Sequence, residues 1–312
     1  MFTQLPIISV SLRKLLIISI LALVIQLSLM TMARAQGDFD AVKIKTTQVT
    51  DSIYMLEGMG GNIGIAISDD GVFMIDDQFA PLSDKILAAV KAISDKPLSY
   101  LVNTHWHGDH SGGNANMAKH GAVITAHNNV HKRLSETQYN KLFKQENPAA
   151  PSGARPKITY SDTMSFHINH ERVDLVHIKN AHTDGDSVVH FTRSNVIHAG
   201  DLFFSGYYPF IDTSSGGSLE GYIAGMKKVI SLCDKNTKII PGHGPFSSVA
   251  ELEADLQVLT IARDRVKQLV DAGKTLEDVI AAKPMADYDK KYGGFFINPE
   301  TFLTILYSEL SS

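Results

Sequence analysis

Hydrophobic residues are distributed along this chain in three regimes. The first is one apolar run, Leu15 to Leu29, interrupted by little more than Ser19 and Gln26. The second is a series of short runs separated by glycine and polar turns. Ser52 to Glu57, Ile63 to Ile67 and Val72 to Ile75 read as strands, with Asp69-Asp70-Gly71 as the hairpin turn between the last two. An amphipathic helix is predicted over Asp84–Ile93, with Ile86, Leu87, Val90 and Ile93 on one face. Tyr100-Leu101-Val102 and Ala122 to Thr125 are further strands, and a helix is predicted over Asn128–Leu134. Period two returns from Ile158, through Met164, Phe166 and Ile168, then Val173 to Ile178, Val188 to Phe191 and Val196 to His198. The third regime is helical. Leu219–Cys233 leads to a strand at Thr237–Ile240, and Ser248-Val249-Ala250-Glu251 is a capping box that opens a long helix ending at Gly273. Two shorter helices follow, one capped by Thr275 and one opened by Asn298-Pro299.

Strands followed by helices occur twice, which predicts two packed sheets with helices outside them. Residues 136–157 carry few large apolar side chains and three prolines, and are expected to form a structureless, mobile flap. Residues 286–296, with Tyr288, Tyr292, Phe295 and Phe296, are expected to cap the core in preference to making a dimer contact.

Charge changes the picture at the N-terminus. Residues 1–35 hold Arg13, Lys14 and Arg34 and no acid, and the apolar run ends at Ala33-Arg34-Ala35. This is the pattern of a secretory signal peptide, with Gln36 as the first mature residue, and the run is shorter than the ~20 residues a membrane span needs. Removing it leaves 26 basic against 33 acidic residues, a net charge of −7. An acidic, exported chain is expected to bind neither nucleic acid nor, after cleavage, membrane. Its single cysteine, Cys233, permits no internal disulfide and is expected to be a buried small hydrophobe.

The candidate chemistry starts at His105-Trp106-His107-Gly108-Asp109-His110, directly after the Tyr100–Val102 strand. In an extended loop residues i and i+2 point the same way, so His105 and His107 can bite one metal ion. The turn at Gly108 sends Asp109 and His110 toward a second position. Imidazoles with a carboxylate suit zinc or iron.

This hexad resembles the metal-binding motif of the metallo-β-lactamase superfamily. The remaining motifs of that family have counterparts in the same order: His182 in Ala181-His182-Thr183-Asp184-Gly185-Asp186, Asp201 in Ala199-Gly200-Asp201, and His243 in Pro241-Gly242-His243-Gly244. Asp76, closing the Val72–Ile75 strand, matches the early aspartate that supports the metal loop from behind. The resemblance implies a four-layer αββα sandwich over residues 36–250, with 251–312 as a C-terminal helical extension of the same domain. It implies two Zn2+ per chain, one on His105, His107 and His182, the other on Asp109, His110 and His243, with Asp201 bridging. The ligand set is similar to that of glyoxalase II and the lactonases. A small-molecule acyl substrate is therefore expected, hydrolysed in the periplasm or outside the cell, with Asp109 orienting the nucleophile and moving its proton.

β-Lactams rank first among substrates and lactones second. A glyoxalase II-like thioesterase and a mono-iron persulfide dioxygenase-like enzyme are the alternatives. The nearest polar anchor after Asp201 is Ser205, with no Lys or Arg before Lys227, which counts against a dedicated carboxylate grip. The aromatic run Phe203, Phe204, Tyr207, Tyr208 and Phe210 follows Asp201 and could wall the cleft, although such a run is more often core, and Trp106 is expected beneath the metal loop. His190 and His198 are expected to be packed within strands, and His167, His170 and His177 to be at the surface. His120, His127 and His131 receive no chemistry, and Asp184 and Asp186 flank a ligand without an assigned role.

Overall fold

A computed structural model describes residues 39–311. The expected signal segment lies outside the described residues. From Lys43 onward the chain forms one compact unit built on two large sheets.

The first sheet has seven strands and changes character halfway. Lys45–Gln48, Ile53–Glu57, Ile63–Ser68 and Gly71–Ile75 form an antiparallel meander. Leu98–Val102, Val123–His127 and Ile158–Tyr160 then continue it in parallel. The chain returns through helices such as Ser83–Ile93 and Asn128–Ser135, because parallel strands require crossovers. The six-stranded second sheet repeats the plan. Thr163–Ile168, Glu171–His177, Ser187–Phe191 and Val196–His198 meander, Lys238–Ile240 joins Val196–His198 in parallel, and Ser247–Ser248 closes the edge.

The sheets face each other across a core that takes Met55, Phe73 and Val102 from the first and Phe166, Val189 and Phe191 from the second. Phe73 meets Phe166 edge to face at 5.1 Å, a favoured aromatic geometry. Gly71–Ile75 is buried at every position and so reads as a continuous apolar run, whereas Thr163–Ile168 alternates because its outer face is wet. The far side of the second sheet carries Val188, Ile197 and Ile239 against the helices Leu219–Ser231, Val249–Asp271 and Pro299–Leu310. The long helix begins with the expected capping box of Ser248 and Glu251. Among the described residues no helix is long and apolar enough to cross a membrane.

Two expectations are corrected. Residues 136–157 are not structureless: Gln138–Asn140 and Gln145–Asn147 pair as an antiparallel hairpin, and a short 3-10 turn follows at Ser152–Ala154. Its strands are almost entirely polar, so no hydrophobic period announces them; backbone pairing and the Lys141 N–H bond to the Ser214 hydroxyl hold the hairpin. The C-terminal part also holds three short helices rather than two, because Ala286–Tyr292 is helical with only Tyr288 and Tyr292 as a large apolar i, i+4 pair.

Candidate metal centre

Parallel strands present their carboxyl ends together, and open α/β sheets place ligands there. Asp76 follows the strand Gly71–Ile75, the hexad follows Leu98–Val102, Asp201 follows Val196–His198 and His243 follows Lys238–Ile240. The loop between Glu171–His177 and Ser187–Phe191 adds His182. Two close approaches make this packing possible. A Cβ on Gly61 would fall 2.0 Å from the His110 ring, and one on Gly242 would fall 2.1 Å from a carboxylate oxygen of Asp201. Glycine is required at both.

The donors converge in two adjoining groups, one of His105, His107, His182 and Asp201, the other of Asp109, His110 and His243. In the first, Nδ1 of His107 lies 3.1 Å from Nε2 of His105 and 2.9 Å from Nε2 of His182. In the second, Nε2 of His110 and Nε2 of His243 are 3.3 Å apart, and Nε2 of His243 is 3.3 Å from Oδ2 of Asp109. Asp201 faces both: Oδ2 is 3.4 Å from His182, while Oδ1 is 3.0 Å from His110 and 3.4 Å from His243.

The outer hydrogen bonds determine what these nitrogens can do. His182 Nδ1 is 2.8 Å from the Phe210 carbonyl, which only accepts, so Nδ1 carries the hydrogen and Nε2 presents a lone pair. His107 Nε2 donates to Asp212 at 3.0 Å, leaving its Nδ1 bare. The Thr104 hydroxyl donates to Asp76 at 2.7 Å and therefore accepts from His105 Nδ1, which leaves Nε2 of His105 bare. Three lone pairs thus point at one position, an arrangement that only a cation or a proton relieves. His110 Nδ1 donates to Asp76 at 2.7 Å, so its Nε2 also points inward. Imidazoles oriented from behind by carboxylates and carbonyls, with carboxylates in front, are a donor set capable of holding metal.

The electrostatics agree. Burial pulls His105 well below the ordinary imidazole value and His182 down to about 4, keeping both neutral as ligands must be. Burial opposes protonation of His110 and His243 as well. The carboxylates reverse it: Asp201, Asp109 and Asp76 hold His110 well above its usual range, and Asp201 and Asp109 push His243 up to about 9. In the metal-free chain protons on the second group play the part a cation would take. For Asp109 and Asp201, burial is outweighed by the surrounding histidines, chiefly His110, and both carboxyls stay well below the usual carboxylate range.

All seven donors expected from the sequence, His105, His107, Asp109, His110, His182, Asp201 and His243, are in these two groups. Asp76 is fully buried and binds His110 together with the Thr104 backbone and hydroxyl. It does so at φ 59°, a left-handed conformation rare outside glycine, two residues before Gln78 at φ 57°. Asp212 is a further member of the site that no sequence motif marks. Its Oδ2 accepts from His107 and from the Ser215 hydroxyl, and its Oδ1 receives Ser214 N–H. The local signal was an Asp-Thr-Ser turn without any link to a histidine 105 residues away.

The other histidines divide. His198 is buried and bonded to the Asn62 carbonyl, as packed residues are. His177 is not at the surface: it is half-buried and its ring stacks on His127 at 3.6 Å, beside Tyr160. Asp186 is fixed by Thr183 within the His182 loop, where burial pushes it up to about 7, and Asp184 pairs with Arg133. Cys233 is only partly buried, its thiol donating to the Val229 carbonyl.

A cleft of about 400 Å³ opens over the two groups. Phe210 and Phe204 line it, stacked on His107 and His243, while Phe203 and Tyr208 belong to the core. Trp106 packs on Ala126 and Val130 and shows an edge to the cleft. Ser205 bonds to Ser247 instead of facing it. Residues 286–296 do more than cap: Tyr292 is buried on the core, but Phe295 and Phe296 reach the cleft.

The metallo-beta-lactamase superfamily model matches residues 56–249. A comparison with curated proteins returned no match. Among solved structures, a metallo-beta-lactamase from Pontibacter korlensis is 16% identical with a TM-score of 0.57, over 70% of this chain and 99% of that one. DIM-1 metallo-beta-lactamase is 17% identical with a TM-score of 0.57, over 71% and 99%. The stereoselective inverting sec-alkylsulfatase Pisa1 from Pseudomonas sp. is 15% identical with a TM-score of 0.62, over 85% of this chain and 50% of that one, so this chain spans half of its length. At these identities the structures establish a shared αββα fold. The family match covers most of the chain, including every strand end that carries a donor, and the chain therefore belongs to the metallo-β-lactamase superfamily of metal-dependent hydrolases.

Proposed function

We propose that this chain is an exported dinuclear zinc hydrolase that opens an uncharged cyclic ester or amide, with lactones ahead of β-lactams. The observation that carries this reading is the convergence of histidine nitrogens and carboxylates on two adjoining positions that share Asp201, at the floor of the 400 Å³ cleft. Two divalent ions held there supply hydroxide at neutral pH and polarise a carbonyl oxygen.

The chain's own residues do the rest. Asp109 lines the cleft with its side chain 27% exposed, and its neighbours keep it ionised. It accepts a hydrogen bond from the attacking water, takes the proton as the water oxygen bonds to the acyl carbon, and returns it to the ring oxygen or nitrogen when that bond breaks. The aromatic walls exclude water from the acyl group. This reverses the order expected from the sequence, β-lactams first and lactones second, and the lining supports the reversal: among the described residues that line the cleft there is no Lys or Arg. That removes the usual grip on a β-lactam carboxylate or an alkyl sulfate, and favours a neutral lactone.

The test is a panel on purified residues 36–312 loaded with zinc: a γ-lactone, a cephalosporin, a carbapenem, an acyl-glutathione and a sec-alkyl sulfate. Lactone turnover with two zinc ions per chain is the expected result. A fully occupied protein that turns over none of the acyl compounds refutes the proposal, and a single iron per chain in the protein as purified, before zinc is added, supports the dioxygenase instead.

A further inference from the structure

The cleft owes its upper walls to two segments outside the metal motifs. One is the turn of the hairpin Gln138–Asn147, which carries Phe143; the other is the turn at 293–297 in the C-terminal extension, which carries Phe295 and Phe296. The exposed phenylalanines of the described residues are these three, at 39%, 43% and 55%, and all three line the cleft. Elsewhere the fold buries its phenylalanines wholly or in part.

Their exposure is built in. Phe295 and Phe296 stand between Tyr292 and Ile297, which are 3% and 1% exposed and anchor the turn on both sides. On the hairpin, the Phe143 N–H bonds to Oδ1 of the buried Asn140, and the Lys141 N–H to Ser214. The rings form two ladders that rise from the donor groups. Above His107 come Phe210, then Phe143 at 5.3 Å and Phe296 at 6.0 Å from it, with Phe143 and Phe296 5.1 Å apart. Above His243 comes Phe295 at 5.7 Å, itself stacked on Tyr207 at 4.6 Å.

We infer that the hairpin and the C-terminal turn are two jaws of an aromatic clamp that binds an uncharged alkyl or aryl substituent of the substrate, and that Phe143 and Phe296 determine specificity for it. The inference rests on the acyl-hydrolase reading. An exposed aromatic loses hydration cost when an apolar group covers it, and the jaws stand where the part of a substrate remote from its scissile bond must lie. The C-terminal extension thereby becomes part of the substrate site.

The experiment measures kcat/KM on a series of γ-lactones with side chains from methyl to octyl. In the wild-type enzyme the value is expected to rise about fourfold per methylene until the cleft is full. In Phe143→Ala and Phe296→Ala the octyl-to-methyl ratio is expected to drop about tenfold each, with partial recovery in Phe296→Leu. Binding is read separately from turnover: Trp106, the single tryptophan of the chain, lines the cleft, so its fluorescence reports the Kd of alkyl-substituted tetrahydrofurans that cannot be hydrolysed. A wild-type kcat/KM or Kd that ignores chain length overturns the clamp, as do alanine variants that keep the wild-type ratio while circular dichroism shows them folded. Chain-length-dependent binding without turnover of any γ-lactone leaves the clamp standing and refutes the lactone reading instead.

Discussion

Asp212→Asn isolates what a tautomer contributes to this site. The wild-type carboxylate accepts on both oxygens: Oδ2 takes the His107 Nε2–H at 3.0 Å and the Ser215 hydroxyl at 2.6 Å, and Oδ1 takes the Ser214 N–H at 3.0 Å. An amide has one accepting end. If its oxygen stays on His107, its NH2 meets the Ser214 N–H; if it turns over, its NH2 meets the His107 N–H. In the second arrangement the clash is relieved when the imidazole moves its hydrogen to Nδ1, which is the nitrogen aimed at His105 and His182. The first metal position then loses one of its three lone pairs. Removal of such an outer partner lowers metal affinity about 10- to 100-fold, or about 1.4 to 2.8 kcal/mol. The assay is competition for zinc against a chromophoric chelator, with metal content by mass spectrometry. In the first arrangement the lone pair is kept and the cap on the 213–215 turn is lost instead, which is worth about 1 kcal/mol of stability and is measured apart, by thermal melting of the metal-free protein. A folded Asp212→Asn protein with wild-type zinc affinity at both sites and an unchanged metal-free melting temperature refutes the assignment of His107 Nδ1 as a ligand held bare by Asp212.

Three further outcomes are expected. Asp109→Asn keeps most of the bound metal but loses about 10²- to 10⁴-fold in turnover, and a variant with wild-type kcat would remove Asp109 from proton transfer. In the metal-free protein His243, raised to about 9, contributes stability that is full below an imidazole's ordinary value of 6.5 and disappears as pH climbs through 9. His182, lowered to about 4, contributes stability that is full above 6.5 and is lost as pH falls through 4. The melting temperature without metal should therefore decline between pH 6.5 and 9, and should not do so with zinc bound, since the cation replaces the proton; a flat metal-free profile contradicts this. Leu306→Ala, at a fully buried position of the last helix, should destabilise the protein by about 2–5 kcal/mol in a single transition. An unchanged sandwich beneath a separately melting extension would show that residues 251–312 fold on their own.

What the sequence disclosed about the centre, and what it hid, follow one physical division. The donors were legible because each sits on a short local motif at the end of an apolar strand, where period two gives way to glycine and histidine. His105 and His107 are two residues apart, and His182, Asp201 and His243 each follow or precede a run that reads as buried. The groups that aim those donors belong to no local pattern. His182 is set by a carbonyl 28 residues on, His110 by Asp76 34 residues back, and His107 by Asp212 at a separation of 105. A backbone carbonyl carries no residue signature at all, and an aspartate in a Thr-Ser-Ser turn looks like turn chemistry. The hairpin at 138–147 and the phenylalanines at 295 and 296 were obscured for the opposite reason: their side-chain pattern is wrong for local structure, since polar strands and solvent-exposed phenylalanines make no contribution to a hydrophobic core. Local rules fail where a segment is shaped by something other than its own stability. Here both segments stand over one cleft, and the departure from the hydrophobic pattern is itself an argument that their side chains serve the molecule that enters it.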